Sequence, residues 1–273
     1  NNSNLPSIVR LSPSTGVPIT LAAGFAPRVS PNGKKIAFLK GPQQALKDIY
    51  VMDIDGANVT RLTSEPSTMA VRWLPDGSKL AYVRQQAPYN APGDLWTMNP
   101  DGSAPTRVRE LSANGVAVGT LEWSPVSHND FVFVDQLSTL FADNNSNPGA
   151  RSLDTHVNRV SWAPDAPTIL YNREAAYTPE TPKAADLWQI GVDGSDRSQV
   201  PLSGIKNVVW SRNAISPDGS AMAGRTSIVA ALTLRARAGS PTIATFPVEA
   251  TQVDWARVPK NCHATTPQGG GGD

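Results

Sequence analysis

Residues 73–82 read WLPDGSKLAY, residues 29–38 read VSPNGKKIAF, and residues 215–224 return to the phrase as ISPDGSAMAG. An anchor residue closes a short stretch, Pro with Asp-Gly or Asn-Gly reverses the chain, and an apolar alternation follows. Proline presets φ and glycine accepts positive φ, so these residues specify a tight turn between two strands. Worn copies stand at 123–133 (WSPVSHNDFVF) and 162–171 (WAPDAPTILY). Recurrence at this spacing predicts a repeat architecture.

Each copy continues in the same way. The alternating runs Ile36–Leu39, Leu80–Val83, Phe131–Val134 and Ile169–Tyr171 read as second strands. A third strand opens with aspartate in three copies, at Asp48, Asp94 and Asp186, and only the apolar alternation survives at 140–142 and 231–234. The Asp side chains are expected to accept backbone N–H bonds where a loop enters the strand. A second turn follows at Asp55-Gly56, Asp101-Gly102, Asp193-Gly194 and, less regularly, Ala238-Gly239. Fourth strands are expected near 61–63, 107–108, 152–153, 200–202 and 244–246. Four short antiparallel strands per copy make one blade of a β-propeller.

The chain ends complete the count. Residues 7–21 match the second half of a unit, with Thr15-Gly16 as its turn, and 251–259 match a first strand. A blade shared between the ends removes two open sheet edges. The expectation is therefore all-β: a six-bladed β-propeller of four-stranded antiparallel blades, spanning 1–259 as one domain and closed by strands from both termini. Its blades lie at about 26–63, 69–111, 116–153, 157–202 and 207–247, with the sixth shared by 7–21 and 251–259. Residues 260–273 read as a flexible Gly-rich tail. The anchors Val29, Trp73, Trp123, Trp162, Ile215 and Trp255 are 44, 50, 39, 53 and 40 residues apart, near the blade period of about 40–50. Their tryptophans are expected to be wedges packed between blades.

The 24 prolines and 21 glycines scatter among turns and leave no helical periodicity of useful length. With 24 basic and 23 acidic residues the formal charge is +1, so no pull toward nucleic acid is implied. No stretch approaches the roughly 18 apolar residues of a membrane span. The single cysteine, Cys262, excludes an internal disulfide and a cysteine zinc cluster. An opening of Asn-Asn-Ser-Asn reads as a processed or excised chain, compatible with export.

The strings SPNGKKIAF…DIYVMDIDGANVTRLT (30–63) and PDGSKLAYV…DLWTMNPDG (75–102) resemble the propeller repeats of the TolB-type family, bacterial relatives of WD repeats. The resemblance runs from about residue 7 to 259, and no stretch corresponds to the separate amino-terminal α/β domain of TolB. It implies a periplasmic, cell-surface or secreted setting. It also implies a protein or peptide partner at a propeller face or channel mouth, within a larger envelope assembly.

Chemistry-bearing residues are sparse. Hydrolytic relatives add a Gly-x-Ser-x-Gly elbow, which is missing here. Lyase relatives gather inward histidines on a metal, whereas His128, His156 and His263 fall in unlike positions of the repeat. Asp53, Asp55 and Gly56 invite a calcium reading, yet no further ligands or closing Glu follow at the required spacing, and turn formation accounts for them. No catalytic residue, metal or cofactor is expected.

Binding candidates are the residues that do not repeat. Arg28, Arg72, Glu122, Arg159 and Asp254 precede the anchors and are expected to approach the central channel, where Arg72 can pair with Glu122 of the next blade. Tyr89 and Tyr177 lie in Pro-stiffened loops and suit an interface. The expected function is a non-catalytic protein-interaction or assembly module. The alternatives are a small-ligand or glycan binder at the channel mouth and, last, a lyase or the regulatory propeller of a hydrolase.

Overall fold

The Pro-Asp-Gly phrase turns the chain as its residues dictate. In the computed structural model Leu74 N–H donates to Lys79 O at 2.9 Å and Ser30 N–H to Lys35 O at 2.8 Å. Gly77 and Gly33 both sit at φ +72°. The worn copies keep the same closing bond, Ser124 to Asp130 and Ala163 to Thr168, so the reversal outlives the loss of its glycine.

The structure describes residues 5–12, 16–42, 45–64, 68–85, 93–111, 118–163, 167–174, 185–200, 208–215, 221–226, 232–236 and 242–246, together with Asp254. It is a propeller of four-stranded antiparallel blades. Blade one contains β3 (Phe25–Val29), β4 (Lys35–Lys40), β5 (Asp48–Asp53) and β6 (Thr60–Arg61). Blade two contains β7 (Thr68–Trp73), β8 (Leu80–Gln85), β9 (Gly93–Met98) and β10 (Thr106–Glu110). Blade three contains β11 (Val118–Trp123), β12 (Asp130–Asp135), β13 (Leu140–Asn144) and β14 (Arg151–Asp154). Blade four contains β15 (Val157–Trp162), β16 (Thr168–Glu174), β17 (Ala185–Gly191) and β18 (Ser198–Gln199). Blade five contains β19 (Val208–Ile215), β20 (Ala221–Thr226), β21 (Leu232–Ala236) and β22 (Thr242–Phe246). Ahead of them, β1 (Ser7–Leu11) and β2 (Pro18–Ala23) pair as two strands. The remaining blade segment expected at 251–259 lies outside the described residues except for Asp254.

The anchors keep register. Val29 faces Ile36, Trp73 faces Leu80, Trp162 faces Ile169 and Ile215 faces Met222. Trp123 faces Phe131, one residue later, because its turn is longer. In each of the five blades the inner strand carries a register shift ahead of its anchor. Such a bulge bends a strand and re-aims its side chains.

The core is a set of slices between neighbouring blades. Ala37, Leu39, Ile49 and Val51 of blade one meet Val71, Trp73, Leu80 and Tyr82 of blade two. Val83 and Leu95 meet Leu121, Trp123, Phe131 and Phe133, and Val132, Val134 and Leu140 meet Val160, Trp162 and Tyr171. Ile8, with Leu21 and Ala22, packs in the same manner on Ile36, Phe38 and Met52. Each fully buried large side chain contributes roughly 1.5–3 kcal/mol. The wedge tryptophans add a polar tie: Trp73 Nε1 donates to Arg28 O at 2.9 Å and Trp162 Nε1 to Glu122 O at 3.2 Å. Trp123 departs from this and donates to His128 O in its own turn.

The second turns also join blades. Gly56, Gly102 and Gly194 have φ of +94°, +86° and +85°, and a Cβ on them would lie 3.3, 3.1 and 3.8 Å from atoms of Leu21, Leu62 and Leu153 in the preceding sheet. The fourth strands differ slightly from expectation: that of blade four is Ser198–Gln199, ahead of 200–202.

Asp48 and Asp94, which open third strands, are held by side-chain donors where backbone N–H groups were expected. Asp48 binds Arg61 at 2.9 Å and Thr63 at 3.0 Å, and Asp94 takes Arg107 through both oxygens at 2.8 and 2.9 Å. Opposite them in register stand the cations Lys40 and Arg84, lying over the rings of Tyr50 and Trp96. Arg173 repeats this over Trp188. These pairs fasten the outer strands of a blade.

Candidate functional site

Arg28, Arg72 and Glu122 occupy one ring position. Each lies immediately before its anchor on an inner strand, opposite Ala37, Ala81 and Val132. Relative exposures are 3%, 4% and 5%, so these groups are sealed from bulk water.

The bulges aim the three side chains at one another. Arg72 grips Glu122 with both faces of its fork: Nε donates to Oε2 at 2.7 Å, and Nη2 donates to Oε1. Its Nη1 donates to Val71 O at 2.6 Å. Arg28, one blade further away, reaches past blade two to the same carboxylate, Nη2 to Oε1 at 3.5 Å. This contact joins the inner strands of blade one and blade three across that of blade two. The expected Arg72–Glu122 pair is present.

Asp254 joins from the other side, its Oδ2 accepting the Val29 N–H at 2.7 Å. Burial and the neighbouring Arg72 charge push the Arg28 pKa down to about 10, against the opposing pull of Glu122 and Asp254. A buried guanidinium that shares its carboxylate is incompletely compensated.

Arg159 does not share this position. It faces Asn172, two residues before the equivalent Ser161, which faces Leu170. The correction follows from register: Trp162 is immediately preceded by serine, and Arg159 lies nearer the start of its inner strand. Ala214 is the corresponding residue of blade five. Tyr89 and Tyr177 lie outside the described residues, as do His263 and Cys262. The Arg28–Glu122 contact was missed by sequence reasoning, since only neighbouring blades were considered for pairing.

The remaining polar clusters serve the fold. Asp53 is held by Lys35 at 2.9 Å and Asn58 at 2.6 Å, and Asp55 accepts Ala57 N–H. Those partners build the turn for which calcium was considered. His128 sits exposed in the β11–β12 turn and His156 in the β14–β15 connection, at opposite ends of the strands. Among the described residues, no group of three His, Cys, Asp or Glu side chains is arranged to hold a metal ion.

A family model described as the TolB beta propeller domain matches residues 17–223. Among solved structures, the putative TolB from Agrobacterium tumefaciens superposes with a TM-score of 0.65 at 15% identity, covering 90% of this chain and 92% of that one. TolB from Acinetobacter baumannii gives 0.61 at 14%, covering 88% and 65%. An oligogalacturonate lyase in complex with manganese gives 0.52 at 14%, covering 87% and 83%. At these identities the superpositions speak for the fold alone.

Proposed function

The chain belongs to the TolB beta propeller domain family, and from that premise we propose that it is a non-catalytic interaction or assembly module of an exported or cell-envelope system. One observation carries the reading. At the position before each anchor the residues are Arg28, Arg72, Glu122, Ser161, Ala214 and Asp254, while the anchors and turns beside them repeat. A scaffold that repeats for structural reasons leaves its non-repeating positions to recognition.

Arg28, Arg72 and Glu122 gather buried charge on the inner strands. A protein or peptide partner docks at a propeller face or the channel mouth, with Tyr89 and Tyr177 as candidate contacts. The same buried charges favour the second reading, a small polar ligand or glycan held at the channel mouth. Placement of His128 and His156 at opposite strand ends supports the non-catalytic assignment.

The ring closes as six. Leu21 of β2 lies under Gly56 as Leu62 lies under Gly102, and Asp254 meets the inner strand of blade one. Both contacts support completion of the β1–β2 sheet by the segment around Asp254.

Capture from envelope extract by the immobilised chain, read by mass spectrometry, tests the interaction module. Tyr89→Ala and Tyr177→Ala should lower capture and leave Tm unchanged; a joint fall in both would make the tyrosines packing residues. Turnover of oligogalacturonides with added manganese would overturn the non-catalytic assignment.

A further inference from the structure

Arginine carries five N–H donors in a rigid fork, and Arg28 leaves much of that fork idle. Nη1 donates to Pro27 O at 3.0 Å, Nη2 has only the 3.5 Å approach to Glu122, and the buried Nε meets no hydrogen-bond acceptor in the protein. Arg72 provides the contrast at the same ring position, with both Glu122 oxygens and a carbonyl engaged. A buried donor without a partner calls for an explanation.

Local charge says what kind of group would answer it. Two buried guanidiniums converge on Glu122, which binds Arg72 closely and Arg28 loosely, while Asp254, the second carboxylate acting on Arg28, accepts the Val29 N–H. The edge formed by Nε and Nη2 matches two coplanar oxygens about as far apart as those of a carboxylate. In a site removed from water such a pair is stronger than at the surface.

We propose that Arg28 is the docking point for a carboxylate on a ligand entering the central channel, received by the Nε–Nη2 edge while Glu122 stays with Arg72. The proposal rests on the reading of the inner-strand ring as the binding surface, and it names the ligand chemistry of that ring. The carboxylate can belong to a free small acid, an acidic peptide side chain or a peptide terminus.

Arginine Nε–H resonances of the full 15N-labelled chain test this directly. Three probes distinguish the sources: acetate, acetyl-Gly-Glu-Gly-amide, and acetyl-Gly-Gly-Gly with a free terminus. Acetamide and sodium chloride serve as controls at matched ionic strength. One Nε–H resonance, absent in Arg28→Lys and retained in Arg72→Lys, should move saturably with at least one carboxylate probe and with neither control. In Arg28→Gln the affinity for that probe should fall at least tenfold. If either lysine variant fails to fold, selective broadening by a spin-labelled carboxylate in the wild-type chain supplies the assignment. A resonance that ignores every carboxylate, or follows chloride equally, overturns the proposal. Captured partners together with an unmoving resonance would sink this inference alone, whereas a responding resonance without protein capture would sink the interaction module and leave a small-acid binder.

Discussion

Glu122 is the carboxylate that two buried arginines share, so its removal exposes both to uncompensated burial. Glu122→Gln should cost about 3–5 kcal/mol, the usual consequence of breaking a buried ion pair from one side. Urea unfolding followed by far-UV circular dichroism reads that loss, and an unchanged midpoint would mean water already reaches these charges. A milder test lies in the second turns. Asn58, Ala104 and Asp196 occupy equivalent left-handed positions at φ +55°, +51° and +53°. Alanine is the poorest of the three there, so Ala104→Asn should raise stability by roughly 0.5–1 kcal/mol. Gly56→Ala should act oppositely, because its φ is positive and a Cβ would press on Leu21. The residue-scale lesson for the candidate ring is one of offset. Arg28, Arg72 and Glu122 could be placed by counting back one residue from the anchor, while Arg159 was misplaced because that count had slipped by two.

At the scale of elements, the turns carry a pH response. Asp76, Asp101 and Asp193 each accept the backbone N–H and hydroxyl of a serine two residues on. These bonds hold the three carboxyls below their ordinary 3.8. A lowered pKa stabilises the fold above the unfolded value, and the stabilisation disappears as pH falls through the folded one. Asp101→Asn should therefore flatten the acid limb of a stability–pH curve; an unaltered slope would show that the turn frays in solution. The alkaline limb belongs to Tyr171, whose hydroxyl donates to Asp154 Oδ2 at 2.7 Å. Burial and that carboxylate push its pKa up to about 12, so its contribution is intact below the ordinary 10 and is lost on the way to 12. Burial also raises Tyr82, so spectrophotometric titration should lose one late phenol in Tyr171→Phe and keep that of Tyr82.

Turn and strand positions were legible because Pro, Gly and alternation act within a few residues. The third strand of blade one, for instance, begins at the expected Asp48. The inner-strand bulges were not legible, since they answer to how a strand meets the axis. The cations over Tyr50, Trp96 and Trp188 were missed too: each pair joins residues on different strands across a loop of variable length.

For the whole molecule, stability is a chain of blade-to-blade slices, each dependent on both neighbours. Deleting residues 1–23 would strip Ile8 and Leu21 from Phe38 and Met52, leaving blade one with a bare apolar flank. The truncated chain should melt earlier and bind a hydrophobic dye that the full chain ignores; equal melting would remove β1–β2 from the ring. Sequence could propose this closure from matching half-units, but not the meeting of Arg28 with a glutamate 94 positions away. That contact depends on curvature accumulated over three blades, which no local pattern records.

The indole bonds from Trp73 to the Arg28 carbonyl and from Trp162 to the Glu122 carbonyl give the molecule its own gauge. A shift of the inner-strand backbone at Arg28 or Glu122 would lengthen or bend one of these bonds, and indole emission responds to the loss of a hydrogen-bonded partner. Occupancy of the hub should thus be visible as a change in intrinsic fluorescence, with no dye attached.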